Sequence, residues 1–382
     1  MADTRAAKLR HLWLNVHLWI GVGLAALLIP ITLSGALLVW HDEIDARINP
    51  HRYAITGIQV ALPPTVYLPK AAEAAARNLA SLRATALRYP EPGWPVRVVM
   101  RAENREPGAR PQIVMVFLDP PTAAVLDVME FRSSLFGFLH VFHENLTIPE
   151  YSGRQIVGWV GAGMLIMSLT GLWLWWPRGS GLLRGLRWTR STRFTFNLHH
   201  LLGFWISIPL AVVSLTGIYL AFPQTARDAM SSITTMNRQP PRGGQPAQHA
   251  SLTADRALEV ALKAAPGAAP VALFLPLQQR GEPALNWRVQ MAERGEALSV
   301  TVDDRSGQST VTRLQPGDRA AAWIRWIHEG SHSGPVRAVI VFLTGVFSTV
   351  FAVTGIIMWL RKRADRKALN AKPANPQLRP AE

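Results

Sequence analysis

The sequence contains no cysteine in 382 residues. Disulfides, thiolate metal sites and covalent haem attachment through C-x-x-C-H are therefore all excluded. Charge is scarce as well. Charged residues make up 17% of the chain against 49% hydrophobic, a balance that points to a membrane protein with sizeable soluble parts. Five Tyr stand against fourteen Trp, and many of the Trp lie at the ends of apolar runs, where an indole buries its ring and keeps its N–H wet. No Asp or Glu occurs within the four long apolar runs, so the intramembrane carboxylates of a metal-transport relay are missing. There is also no G-x-S-x-G, P-loop, H-E-x-x-H or dinucleotide fingerprint, and no hydrolase, nucleotide, flavin or NADPH site is visible.

What is present is apolar length and positive charge. Four runs, Leu12 to Trp40, Ile156 to Trp176, Leu198 to Phe222 and Val336 to Leu360, each supply the roughly 20 helical residues a bilayer needs. The first is too long for a cleaved signal peptide and has no small-residue cleavage site before His41-Asp42-Glu43. The net charge of +15 is gathered beside these runs rather than in one stripe, so nucleic acid is not an expected partner. Arg5, Lys8 and Arg10 precede the first run. Arg178, Arg184, Arg187, Arg190 and Arg193 separate the second and third, and Arg361-Lys362-Arg363, Arg366 and Lys367 follow the fourth. By the positive-inside rule these flanks are cytoplasmic. The expected layout is a multi-pass protein of the bacterial inner membrane, both termini inside. Its segments are a tail and first helix (1–40), a periplasmic domain (41–135), a His segment and second helix (136–177), a basic loop (178–196), a third helix (197–222), a second periplasmic domain (223–322), a His segment and fourth helix (323–361) and a cytoplasmic tail (362–382).

The chain repeats itself. Asn15, His17, Gly21, Ser34 and Gly35 recur as Asn197, His199, Gly203, Thr216 and Gly217, all at an offset of 182. Leu169-Thr170-Gly171, with Trp173 and Trp175, is echoed by Val353-Thr354-Gly355 and Trp359. Upstream, Leu139-His140 is echoed by Ile327-His328. A repeat of this kind predicts two pseudo-symmetric halves. The segments between the runs also correspond. An Ala-rich stretch near Lys70–Leu82, then Val96–Arg101, Ile113–Leu118 and a turn at Asp119 match Thr253–Ala265, then Val271–Leu275, Asn286–Met291, Leu298–Val302 and a turn at Asp303–Gly307. Each reads as one helix on a small antiparallel sheet. The connector Asn237–Ala250 is rich in Pro, Gly, Gln and Arg and reads as flexible.

These residues resemble the PepSY-associated transmembrane family over nearly the whole chain. The likeness rests on the His-x₃-Gly start of the first and third runs, the Leu-His and Thr-Gly-x-x-x-Trp frame of the second and fourth, and the two intervening α+β domains, which look like PepSY domains closing at Asp119 and Asp303. Within the family the layout is most similar to siderophore (ferrioxamine) reductases of the FoxB type. The resemblance implies haem b and reduction of ferric siderophores in the periplasm. One departure is the longer insert between His140-Val141-Phe142-His143 and Gly153-Arg154, which leaves the ligand open between His140 and His143.

Ten of the eleven His lie at or near the ends of the runs, the exception being His249. Imidazole is a good axial ligand for haem iron when one neutral nitrogen is presented from a fixed backbone position. Two layers follow from the repeat. His17 and His199 face each other at the cytoplasmic ends, and His140 and His328 face each other at the periplasmic ends. Each layer would hold the iron of one haem b, so that two haems bridge the bilayer. His200, His143 and His332 are substitutes within about a turn. Counted as continuous helix, His328 to Leu360 spans roughly 48 Å at 1.5 Å per residue. That puts His328 at or just above the outer interface, with a break at Gly330, Gly334 and Pro335. Arg154 and Arg337 pair with haem propionates or serve as interfacial anchors. The Ser34-Gly35, Thr170-Gly171, Thr216-Gly217 and Thr354-Gly355 pairs let helices approach closely or leave room for a flat porphyrin, and helix packing is the preferred reading. Trp173, Trp175, Trp176 and Trp359 read as belt residues, His41 and His51 as interfacial (His41 with a haem edge or propionate in reach), and His11 as snorkelling. The expected partners are a ferric siderophore such as a hydroxamate, membrane lipid, and a cytoplasmic or quinol electron donor. The competing expectation is a non-redox PepSY-based binding or regulatory protein, or a transporter accessory subunit.

Overall fold

The structure is a computed structural model that describes residues 2–60, 62–77, 81–102, 112–176, 186, 191–238, 244–247, 249–278, 285–330 and 334–371. His332 and Arg178, Arg184, Arg187 and Arg190 lie outside the described residues. In chain order the helices are α1 (Ala2–Val39), α2 (His41–Ile48), α3 (Pro64–Ala76), α4 (Leu135–Asn145), α5 (Gly153–Trp175), α6 (Phe194–Ala221), α7 (Pro223–Ile233), α8 (Ala254–Ala264), α9 (Pro316–Glu329) and α10 (Pro335–Ala371). The strands are β1 (Leu82–Arg88), β2 (Val96–Ala102), β3 (Ile113–Leu118), β4 (Val125–Glu130), β5 (Gln245–Pro246), β6 (Ala269–Phe274), β7 (Leu277–Gln278), β8 (Asn286–Glu293), β9 (Glu296–Asp303) and β10 (Ser309–Arg313). The chain forms two compact units: residues 1–40, 139–227 and 322–382 make one, and 41–138 with 228–321 the other.

The first unit is a helical bundle. Its four long members, α1, α5, α6 and α10, are each long and apolar enough to cross a membrane, and a helix satisfies its own backbone polar groups there. Both α1 and α6 pack mainly against α5 and α10, so α1 and α6 face each other across the bundle. Leu28, Ile31, Val160, Met164, Ile206 and Leu210 form the core, with Phe347 and Phe351 against them. Between helices in lipid, close approach and hydrogen bonds matter more than apolarity. Gly345 supplies the first: a Cβ there would stand 2.8 Å from the Thr32 carbonyl oxygen. Thr32 and Thr349 supply the second, their hydroxyls 3.0 Å apart.

Two short helices, α4 and α9, precede α5 and α10, and the backbone turns sharply between each pair. Leu146, Thr147 and Ser152 have φ of 56°, 60° and 58° after α4, and Gly330 and Gly334 have φ of 71° and 86° after α9. Positive φ is costly for residues with a Cβ, so these turns reflect constraint from the surrounding packing. The expected break is present: α9 ends at Glu329 and α10 begins at Pro335. With the axis broken, the His328 ring turns back to reach α6.

The second unit is a sheet covered by helices. Its strand order is β10-β9-β8-β6-β1-β2-β3-β4, with β5 and β7 paired separately. The two expected small sheets are thus one sheet, joined where β1 meets β6 antiparallel, Ala86 opposite Phe274 and Leu87 opposite Leu273. Pairing β1 with β6 removes two open edges that separate sheets would expose. Tyr67, Ala71 and Ala75 of α3 and Ala254, Ala257 and Ala261 of α8 pack in the same core as Leu87, Val98, Val116, Leu273 and Val300.

Two buried carboxylates tie loops to this core. Asp119 accepts from the Thr56 amide (2.7 Å) and hydroxyl (2.6 Å). Asp304 accepts from the amides of Ser251 (2.6 Å) and Leu252 (3.0 Å) and from the Trp287 indole (2.7 Å). The backbone turn repeats at Asp119 and Asp303, as expected, but the buried side chain of the second turn belongs to Asp304, and Asp303 caps its own turn through Ser306. Burial pushes the Asp119 carboxyl up, yet hydrogen bonds from Thr122 and Thr56 outweigh it and hold it below the ordinary carboxylate range. For Asp304 burial again pushes up, and the Ser251 and Leu252 amides and Trp287 outweigh it. A third buried group, Arg52, bridges Asp45 at 2.6 Å and Asp127 at 2.7 Å.

Candidate functional site

Two pairs of imidazoles stand inside the bundle. In the first, His17 projects from α1 and His199 from α6, at the end of the bundle where Arg193 pairs with Asp365. Their ring centres are 6.4 Å apart with an interplanar angle of 85°. Each ring is held from a neighbouring helix. His17 Nδ1 lies 3.0 Å from the Thr170 hydroxyl, and His199 Nδ1 lies 2.9 Å from that of Thr354.

The second pair sits at the other end. His143 of α4 and His328 of α9 have ring centres 6.2 Å apart and an interplanar angle of 39°. His143 Nδ1 donates to the Ile31 carbonyl at 2.9 Å, with the Ser34 hydroxyl at 3.3 Å. His328 Nδ1 donates to the Val213 carbonyl at 3.0 Å, with the Thr216 hydroxyl at 3.2 Å. Ile31 and Ser34 become Val213 and Thr216 at the 182-residue offset of the sequence repeat.

These contacts settle which nitrogen carries the proton. A carbonyl can only accept, so Nδ1 of His143 and of His328 is the N–H. Thr170 already donates to the Ile166 carbonyl at 2.7 Å and Thr354 to that of Val350 at 2.8 Å. Their oxygens are therefore free to accept from His17 and His199. In all four rings Nε2 keeps its lone pair, and a tied Nδ1–H is the usual outer partner of a metal-ligating His.

A glycine beside each hydroxyl makes room for the ring. A Cβ on Gly35 would lie 2.6 Å from His143 Cε1, on Gly217 2.9 Å from His328 Cε1, on Gly171 3.2 Å from His17 Cε1 and on Gly355 3.9 Å from His199 Cε1. The four Ser/Thr-Gly pairs thus face imidazoles, which corrects their reading as helix-packing positions.

The ring separations would suit a haem held between the two imidazoles of each pair. A metal–imidazole bond is about 2 Å long, so two rings on one iron have centres about 6 Å apart, as in both pairs here. Among the described residues no group of three or more His, Asp or Glu could hold a bare metal ion. His17 with His199, and His143 with His328, are the residues that would hold such a haem.

His140 does not face His328. Its side chain is 59% exposed and lies 3.9 Å from Glu144, while His143, three residues on, takes the inward position. Spacing carried this signal: His143 precedes Thr170 by 27 residues and His328 precedes Thr354 by 26, whereas His140 stands 30 away. The Leu-His and Ile-His dipeptides outweighed it. His200 is one position beyond its partner-facing neighbour and stacks between Phe196 and Trp175. Arg154 donates to the Leu220 carbonyl at 2.9 Å and pairs with Glu144 at 3.0 Å, and Arg337 lies 3.5 Å over the Trp326 ring. His11 bonds Asn15. In the sheet unit, His41 lies 3.5 Å from Asp42 and His51 3.7 Å from Asp127. Trp176 is exposed, as a belt residue should be, but Trp175 is only 4% exposed, which corrects its placement in the belt.

No curated protein matches the chain. A family model described as the PepSY-associated TM region matches residues 14–362, a stretch that takes in the second and third spans, most of the first and fourth, the sheet unit and both imidazole pairs. The chain belongs to this PepSY-associated transmembrane family.

Proposed function

We propose that the chain is an inner-membrane di-haem b protein that passes electrons across the bilayer to reduce ferric siderophores, such as hydroxamate complexes, in the periplasm. The observation that carries this reading is the recurrence of one motif four times. An imidazole with its Nδ1–H tied and its Nε2 free faces a second one at 6.4 Å in one layer and 6.2 Å in the other. His17 and His199 would hold one haem, and His143 and His328 the other. Bound haem supplies one-electron exchange at a ligated iron. The chain's own residues fix ring orientation, keep the ligating nitrogens unprotonated and stand the two layers about 25 Å apart along α1, at 1.5 Å per residue from His17 to Ser34. Such a spacing suits a conduit between the two faces of a membrane.

The basic flanks favour cytoplasmic termini and a periplasmic sheet unit, and the matched contacts of the two halves favour a pseudo-twofold arrangement. The donor is a cytoplasmic protein or a membrane quinol. The acceptor is Fe(III) in hard oxygen ligands, which takes one electron, and the resulting Fe(II) is held less well by such ligands and released.

Purified protein should contain two haem b per chain by pyridine haemochrome. Replacing His17 or His199 by Ala should remove one haem, and replacing His143 or His328 should remove the other. His140→Ala should remove neither. A purified chain without haem iron or a Soret band contradicts this reading and leaves a PepSY-based binding or regulatory membrane protein.

A further inference from the structure

Trp175 is the one indole of the second apolar run that is sealed into the bundle. It is 4% exposed, and among the described residues its Nε1–H has no hydrogen-bond partner. Buried indole N–H groups normally find an acceptor, and an unpaired one is costly. Packing holds the ring in place. Phe204 stacks on it at 4.1 Å and His200 at 5.8 Å, so it cannot swing out to water without dismantling that stack.

Its position says what the acceptor is. Trp175 follows Gly171 by four residues, and i, i+4 positions share a helix face. Gly171 is the residue that faces the His17 ring. Trp175 therefore lies on the same face of α5, about 6 Å further along the axis toward the basic end. The second Thr-Gly-x-x-x-Trp frame puts Trp359 at the matching place on α10, where Arg363 lies over its ring at 5.6 Å. One turn beyond the imidazole pair, this end of the site offers an N–H donor and a cation to an anion.

We propose that the Trp175 indole N–H donates to a propionate carboxylate of the haem held by His17 and His199, directing the carboxylate edge of that haem to the basic end of the bundle. The assignment rests on the ligand reading given above and adds to it a positioning residue that touches the cofactor through neither iron nor ring.

The test uses the full chain carrying His143→Ala, which keeps only the first haem. Haem-stripped protein is titrated with haem b and with its dimethyl ester, with and without Trp175→Phe. That substitution retains an aromatic ring and deletes the N–H. A hydrogen bond to a charged group predicts about a tenfold or greater loss of haem b affinity. The ester should bind both forms alike, and the propionate bending band in resonance Raman should shift only with haem b. Equal weakening for both porphyrins, or none for either (the result if the N–H serves a lipid phosphate), overturns the proposal. Failure of the parent protein to bind any haem overturns the ligand assignment instead.

Discussion

The working unit of this molecule at the scale of single residues is a hydroxyl, a glycine and an imidazole from another helix. A hydroxyl orients Nδ1 of His17 and His199, and a carbonyl orients that of His143 and His328 with a hydroxyl beside it. Where the glycine touches the ring closely, removing that space should be as damaging as removing the imidazole. Gly35→Ala and Gly217→Ala place a methyl at 2.6 and 2.9 Å from the rings of His143 and His328. Both should lose the second haem and keep the first, read as one haem per chain by pyridine haemochrome. Gly355→Ala, with 3.9 Å to His199, should retain both. Full haem content in all three variants would contradict the cradle. A second residue-scale expectation concerns acid. The Asp119 and Asp304 carboxyls have folded values held below the unfolded carboxylate value of about 3.9. Their contribution is complete above that value and is lost as pH falls through the lower folded ones. Thermal unfolding of the sheet unit should therefore be insensitive to these groups at neutral pH and fall steeply below about pH 4. Asp304→Asn should flatten that fall.

Among elements, the helices that cross the bundle were fully legible, because about 20 apolar residues in a row admit few alternatives. The short α4 and α9 were legible as His-bearing segments, and so was the break after α9, but which ring of α4 turned inward depended on the backbone at Leu146, Thr147 and Ser152, which no periodicity announces. In the sheet unit β2, β3, β6, β8 and β9 showed themselves as strand-like segments, β6 through Val271–Leu275. The rest did not, for physical reasons. A bulge between Ala84 and Ala86 interrupts β1, and β4 and β10 are sheet edges with no fully buried residue, so neither has an inside-outside pattern to read. Helix α3 begins at Pro64, six residues before the Ala-rich stretch that suggested it, with Pro in the first turn as its start signal. The seam between β1 and β6 was invisible because each half's pattern is complete without it. Leu87 and Leu273, opposite each other and both fully buried, carry that seam. Either one changed to Ala should cost about 2–5 kcal/mol, and the pair should be non-additive because they touch. Hydrogen exchange of the sheet amides in the full chain reads both effects. Unchanged protection would mean that the two halves fold as separate sheets.

For the whole molecule, the internal repeat explains why a chain without cysteine or nucleotide motifs brings imidazoles together in two layers. Each half contributes one imidazole to each layer, so neither half completes a site alone. Of the four paired imidazoles, His17, His199 and His328 were evident from the repeat. His143 needed the fold, since it differs from His140 only in which side of α4 it occupies. The most direct test is the EPR spectrum of the oxidised, purified protein. Two low-spin ferric signals should appear, the pair with rings at 85° giving the more anisotropic one and the pair at 39° the more rhombic. His17→Ala should abolish the first signal and His143→Ala the second. A spectrum with no low-spin haem iron, or one in which both signals survive both substitutions, would contradict the account.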